Sequence, residues 1–138
     1  MGTSIQSKPG QGVKVEASAG QGLIMGHAYS FLAAGELDTK CVDDGGKVRL
    51  VKLRNPWGKG EWTGSWSDNS PEYEKYADAL NDDEETFGEK TDGMNDGTFF
   101  MKFDDWRSAY TNIFVAMNFP KHWEVRFSFN MTLEMIPL

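Results

Sequence analysis

VKLRNPWGKGEWTGSW, residues Val51–Trp66, decides how the rest of this chain is read. An apolar strand run carried by Val51 and Leu53 stops at Asn55-Pro56, and three of the five tryptophans then fall within ten positions. Pro56 offers no amide hydrogen to a ladder and biases Asn55 toward extended backbone, so a strand ends there. Gly58, Gly60 and Gly64 permit turns that a residue with a Cβ resists. An amide at a strand end, beside an indole and a glycine-rich loop, can hold one polar side chain in place. The same tryptophans, Trp57, Trp62 and Trp66, also suit a plain hydrophobic core.

Upstream, Leu23–Leu32 is apolar except for Gly26, His27 and Ser30, which predicts a buried strand with His27 set into it. Asp43-Asp44-Gly45-Gly46 reads as a hairpin turn, after which Lys47–Arg54 pairs back as the next strand. His27 and Asn55 then sit at the ends of the two strands away from the turn, where they become neighbours. Before Leu23 only a short strand near Thr3–Gln6 is expected. The glycine- and serine-rich stretch Gln6–Gly22 reads as a mobile loop. Its two Gly-Gln-Gly triplets lack the strand–loop–helix setting of a phosphate loop and read as linker.

Downstream, Ser70-Pro71-Glu72 starts a helix that runs to about Leu80. Residues Asp82–Asp96 hold seven carboxylates against one lysine and read as a solvated, flexible loop, with cation binding as the minority alternative. Gly97–Phe103 is a strand, Asp104–Tyr110 a short helix, and Thr111–Phe119 a further strand. Lys121–Met131 alternates cleanly, as a half-buried antiparallel strand does. The 138 residues suit one folded domain, and the charge of −7, without any run of lysine or arginine, argues against nucleic acid and anionic membrane as partners. Cys41 is the single cysteine, which excludes an internal disulfide and points to a reducing compartment. With no apolar run of membrane-spanning length and no apolar signal segment, an intracellular, cytoplasmic location is expected.

His27 is flanked by Gly26 and Ala28, so another group can approach its ring closely. An imidazole acting as general base needs a partner on its other nitrogen, and Asn55 can provide one without adding charge. Trp57 can shield that bond from water. A hydrogen-bonded core histidine fits the same residues.

Four segments carry a resemblance. Gly26-His27-Ala28-Tyr29-Ser30, Arg54-Asn55-Pro56-Trp57-Gly58, Glu61-Trp62-Thr63-Gly64-Ser65-Trp66-Ser67-Asp68 and Asp96-Gly97-Thr98-Phe99-Phe100-Met101 resemble the second subdomain of the calpain catalytic core in order and approximate spacing. Met1-Gly2-Thr3-Ser4-Ile5 is similar to the strand that opens it. The resemblance covers most of residues 1–119, and residues 120–138 resemble the entry to a following β-sandwich region. It implies a mainly β, α+β fold of antiparallel sheets or an open barrel with two short helices, the β-rich half of a papain-like proteinase. It implies a calcium-dependent intracellular cysteine endopeptidase in which His27 is the general base, Asn55 its orienting partner, and Trp57 packs beside the site. It also implies a calcium site built from Glu61, Asp68, Asp96 and the main-chain carbonyl of Met94. Thr98 stands where the family usually has a further glutamate.

The family's nucleophilic cysteine and oxyanion-hole glutamine lie in a first subdomain upstream of these motifs. No Gln-x-Gly-x-Cys-Trp run occurs in this sequence, and Cys41, between the histidine and a turn, reads as a hydrophobic or turn-flanking residue. The expected partners are therefore a Cys-bearing first subdomain of the same protease and a protein or peptide substrate. The alternative is a non-catalytic calpain-like module that binds calcium or a protein partner in a regulatory role. An unrelated β-rich tryptophan domain survives only if His27 and Asn55 lie far apart.

Overall fold

The computed structural model describes residues 1–6, 16–39, 45–91 and 93–116. Cys41, the Asp43-Asp44 half of the expected turn and the alternating segment Lys121–Met131 lie outside the described residues. The elements run β1 (Gly2–Ser4), β2 (Ala17–Gly20), β3 (Leu23–Met25), β4 (Ala28–Asp38), β5 (Lys47–Arg54), α1 (Pro71–Asp82), α2 (Glu84–Phe87), β6 (Thr98–Lys102), α3 (Phe103–Ala109) and β7 (Asn112–Phe114). Five strands form one open antiparallel sheet in the order β6-β5-β4-β1-β7, and β2 and β3 form a separate two-stranded ribbon.

The core lies on both faces of β5. Alternation sends Val51 and Leu53 to one face, where Phe99 and Met101 of β6 and Tyr29 and Phe31 of β4 join them. Val48 and Leu50 go to the other, with Phe100 and with Tyr73, Leu80 and Phe87 from the helices. Strand β4 serves both faces with odd-numbered residues, Tyr29 and Phe31 on the first and Leu37 on the second. A bulge makes this possible: Phe31 pairs with Leu53 and Ala33 with Lys52, leaving Leu32 as the extra, exposed residue. One inserted residue reverses the side-chain alternation beyond it.

Helix α1 begins as expected, with the Ser70 hydroxyl accepting a bond from the Tyr73 amide at 3.1 Å and Pro71 in the first turn. The described chain contains three short helices rather than two. The acidic run is not all loop: Asp83 accepts from the Thr86 amide at 3.1 Å and starts α2, which Gly88 ends at φ +70°. Acids in a first turn complement the helix dipole, and buried Phe87 anchors this one. Lys52, buried in β5, donates to the carbonyls of Phe87 and Glu89 at the end of α2. Burial lowers its ammonium pKa, and the charges of Glu89 and Asp96 oppose that shift.

The expected mobile loop before Leu23 also contains structure. Ala17–Gly20 pairs with β3, and Gly20, Gln21 and Gly22 make the connecting turn with φ of +90°, +49° and +79°. The second Gly-Gln-Gly triplet is thus a hairpin turn, and it is docked. Thr63 N donates to Gln21 O at 3.0 Å, and a Cβ on Gly22 would lie 1.9 Å from the Glu61 carbonyl oxygen. Gly45 has a similar φ of +68° but open space around it. Gly45→Ala is expected to cost only the left-handed backbone term, about 1–2 kcal/mol. Gly22→Ala should lose at least about 1 kcal/mol more, because backbone must move. Urea unfolding of the two variants decides this, and equal losses would refute the docked turn.

Candidate active site

The apolar run Leu23–Leu32 does not continue through the histidine. Gly26 turns at φ +72° and donates its amide to Ile5 O at 2.8 Å, so His27 lies in the break between β3 and β4. This corrects the expectation of one strand with His27 inside it. The break also frees the imidazole from the in-and-out alternation of a strand. Tyr29 stands edge-on to it at 5.1 Å between ring centroids, with its own hydroxyl held by the Ile24 amide at 3.0 Å.

Asn55 follows the last residue of β5 and is completely buried. Its amide N–H donates to Gly97 O at 2.7 Å, and its carbonyl accepts from Gly58 N at 3.0 Å, closing a turn over Pro56-Trp57. The side-chain Nδ2 donates to Gly60 O at 2.9 Å, which fixes which end of the amide is nitrogen. Oδ1 accepts from Trp57 N at 3.1 Å and lies 2.8 Å from His27 Nε2. An amide oxygen only accepts, so Nε2 must carry the hydrogen. That leaves Nδ1 with the lone pair, the state from which an imidazole takes a proton.

Trp57 is half exposed, and its ring packs on the imidazole at 4.4 Å with a 47° tilt. Trp62 and Trp66 are buried and belong one to each core. Of the three tryptophans, then, two are core and one covers the histidine. Sequence reasoning missed Glu16, whose Oε1 lies 3.5 Å from His27 Nδ1. Its position in a glycine- and serine-rich stretch gave no signal.

The candidate metal ligands converge only in part. Glu61 Oε1 accepts the Gly97 amide at 2.7 Å, and Glu61 shares a hydrogen bond with the buried Asp68 carboxyl. Burial holds the Glu61 pKa above its usual value and the nearby Asp96 charge raises it further, while bonds from Gly97, Asp68 and the Asp96 amide oppose the shift. Asp96 Oδ1 is taken by the Thr98 amide at 2.7 Å, and the Met94 carbonyl by the Asp96 amide at 2.7 Å. Among the described residues no set of three acidic, histidine or cysteine side chains is closed around a metal position. The oxygen donors nevertheless fit a hard cation: the Glu61 carboxyl, pushed up by burial and by the Asp96 charge, and the buried Asp68 carboxyl beside it would be relieved by one. A cleft of ≈ 640 Å³ opens beside them, lined by Glu61, Asp68, Asn69, Glu72 and Asn95 among others. No helix among the described residues is long and apolar enough to cross a membrane.

The family described as calpain family cysteine protease matches residues 1–117. Calpain-8 of Mus musculus is 37% identical over 100 residues, covering 72% of this chain and 13% of the relative. The calpain-2 catalytic subunit of Mus musculus is 37% identical over 98 residues (71% of this chain, 13% of the relative). Calpain-B of Drosophila melanogaster is 36% identical over 114 residues, 82% of this chain and 12% of that protein. The chain therefore spans only about one eighth of the length of these relatives. With a family match over residues 1–117, this chain belongs to the calpain family of cysteine proteases.

Proposed function

We propose that this chain is the His/Asn-bearing subdomain of a calpain-type, calcium-dependent cysteine endopeptidase acting inside the cell on protein or peptide substrates. The observation that carries the reading is the 2.8 Å contact between His27 Nε2 and Asn55 Oδ1, made by a buried amide whose other groups are all engaged. In the assembled enzyme a Cys-bearing first subdomain closes against this one, and His27 Nδ1 removes the thiol proton and returns it to the leaving amine. Asn55 holds the tautomer and the ring direction without placing a second negative charge near a thiolate. Trp57 limits water at the imidazole face. Residues 1–119 form this subdomain, and residues 120–138 lead into the next region.

Glu61, Asp68, Asp96 and the carbonyl of Met94 are the proposed calcium ligands. Bound calcium would supply the positive charge that holds these loop oxygens together. Thr98 contributes no carboxylate there, so affinity is expected to be weak.

Two outcomes test this reading. The chain alone should hydrolyse no peptide, because its sequence has no cysteine in the Gln-x-Gly-x-Cys-Trp setting that supplies the nucleophile and oxyanion donors of such catalysis. Peptide turnover accompanied by labelling of Cys41 with a peptide epoxide would refute that. In the complete protease, His27→Ala should lower kcat by about 10²–10⁴-fold. Calorimetry with millimolar calcium should show heat that Asp68→Ala abolishes. That heat should shrink as pH falls through the raised titration range of Glu61, since protons then compete for the same oxygens. Absence of heat at neutral pH removes the metal site from the proposal.

A further inference from the structure

Both ring nitrogens of His27 are occupied, and the second contact has no place in the reaction just described. Asn55 takes Nε2, while Glu16 Oε1 lies 3.5 Å from Nδ1. Nδ1 is the atom that must meet the nucleophile if His27 is the general base, so this inference rests on that reading. Glu16 therefore occupies the position beside Nδ1 that a nucleophile's sulfur would have to take.

We propose that Glu16 is a place-holding anion that caps His27 Nδ1 in this half of the protease and must be displaced when the nucleophile engages. Three features support the exchange. The Glu16 side chain is 44% exposed whereas the His27 side chain is 7% exposed, so the cap is held by the contact rather than by burial of its own. Glu16 stands at φ +49°, in the left-handed region that residues with a Cβ avoid, immediately before β2. Among the described residues strand β2 pairs only with β3, in a ribbon outside the five-stranded sheet, so releasing Glu16 breaks none of the described bonds that hold His27 or Asn55. Once Glu16 is displaced, Nδ1 is open to take the thiol proton, as the general-base role requires. The cap also bars other groups from Nδ1 before assembly.

Diethylpyrocarbonate, which acylates imidazole nitrogens that carry a lone pair, tests this on the full chain at neutral pH. Peptide mass mapping separates His27 from His122, and NMR of the modified ring shows which nitrogen reacted. Glu16→Gly removes the carboxylate and suits the positive φ; Glu16→Gln keeps the reach and removes only the charge. Both are expected to raise the His27 rate by about fivefold, the factor that loss of one such ion pair produces, with acylation at Nδ1 and the His122 rate unchanged. Glu36→Gln, which removes an exposed carboxylate from its 3.5 Å pair with Lys47, should leave His27 unchanged. Unchanged rates in both Glu16 variants, with acylation still at Nδ1, would overturn the cap and leave the general-base reading intact. A faster rate for the glycine variant alone would overturn the anion exchange. Acylation of wild-type His27 at Nε2 would instead show that Asn55 does not hold that nitrogen, and the general-base reading itself would fall.

Discussion

A buried primary amide with every hydrogen-bonding group engaged is the constraint on which this structure turns. Asn55 is fully buried, and an amide left unsatisfied there would cost about 1–3 kcal/mol per group. Gly60 O, Trp57 N and His27 Nε2 satisfy its side chain, and Gly97 O and Gly58 N its backbone. These five partners belong to four structural features: the glycine loop, the indole over the histidine, the break before β4, and the residue preceding β6. Any rotation of the amide breaks several bonds together. The imidazole tautomer is therefore set by the fold rather than by the histidine's own surroundings.

What makes this arrangement possible is a sheet whose two faces are both covered. Strand β5 must place Val51 and Leu53 in one core and Val48 and Leu50 in the other, and alternation does so without help. Strand β4 cannot, because its core residues are all odd-numbered, and the bulge at Leu32 solves the problem locally. The bulge lies within the stretch that links the histidine to the rest of β4. His27 thus immediately precedes the part of β4 that faces the first core through Tyr29 and Phe31. Residues past the bulge serve the helices instead.

Much of this was legible in the sequence, and the failures have physical causes. Strands β5 and β6, the start of α1 and the meeting of His27 with Asn55 follow from alternation, from Ser70-Pro71 and from counting back along one hairpin. The break at Gly26 was hidden because an apolar run looks the same whether it is straight or turned. Helix α2 was hidden because its four residues contain one apolar side chain, Phe87, amid acids that also suit a loop. Strand β2 was missed because Ala-Ser-Ala-Gly has almost no strand propensity. Its pairing comes from β3 and from the turn docked on the Glu61–Thr63 loop. Glu16 was invisible for the same reason: its importance depends on where that ribbon lies, and no local pattern encodes it.

The carboxylate corner at Glu61 and the amide that meets the imidazole are joined through a single residue. Gly97 accepts the Asn55 amide hydrogen at 2.7 Å with its carbonyl and donates its own amide hydrogen to Glu61 Oε1 at 2.7 Å. It stands at φ +91°, and a Cβ there would lie 2.6 Å from Asn55 O and 3.0 Å from Gly58 Cα. Glycine is required on both counts, for the backbone angle and for the close approach. A change in the charge or position of Glu61 is therefore felt one peptide away from the amide that orients His27. Trp57 and Gly58 lie between Asn55 and Glu61 on the same loop, so the loop cannot shift at one end alone. Charge at Glu61 and geometry at Asn55 are two ends of one short connection, whose ends both lie in the stretch Val51–Trp66 and whose middle is Gly97, rather than the helices.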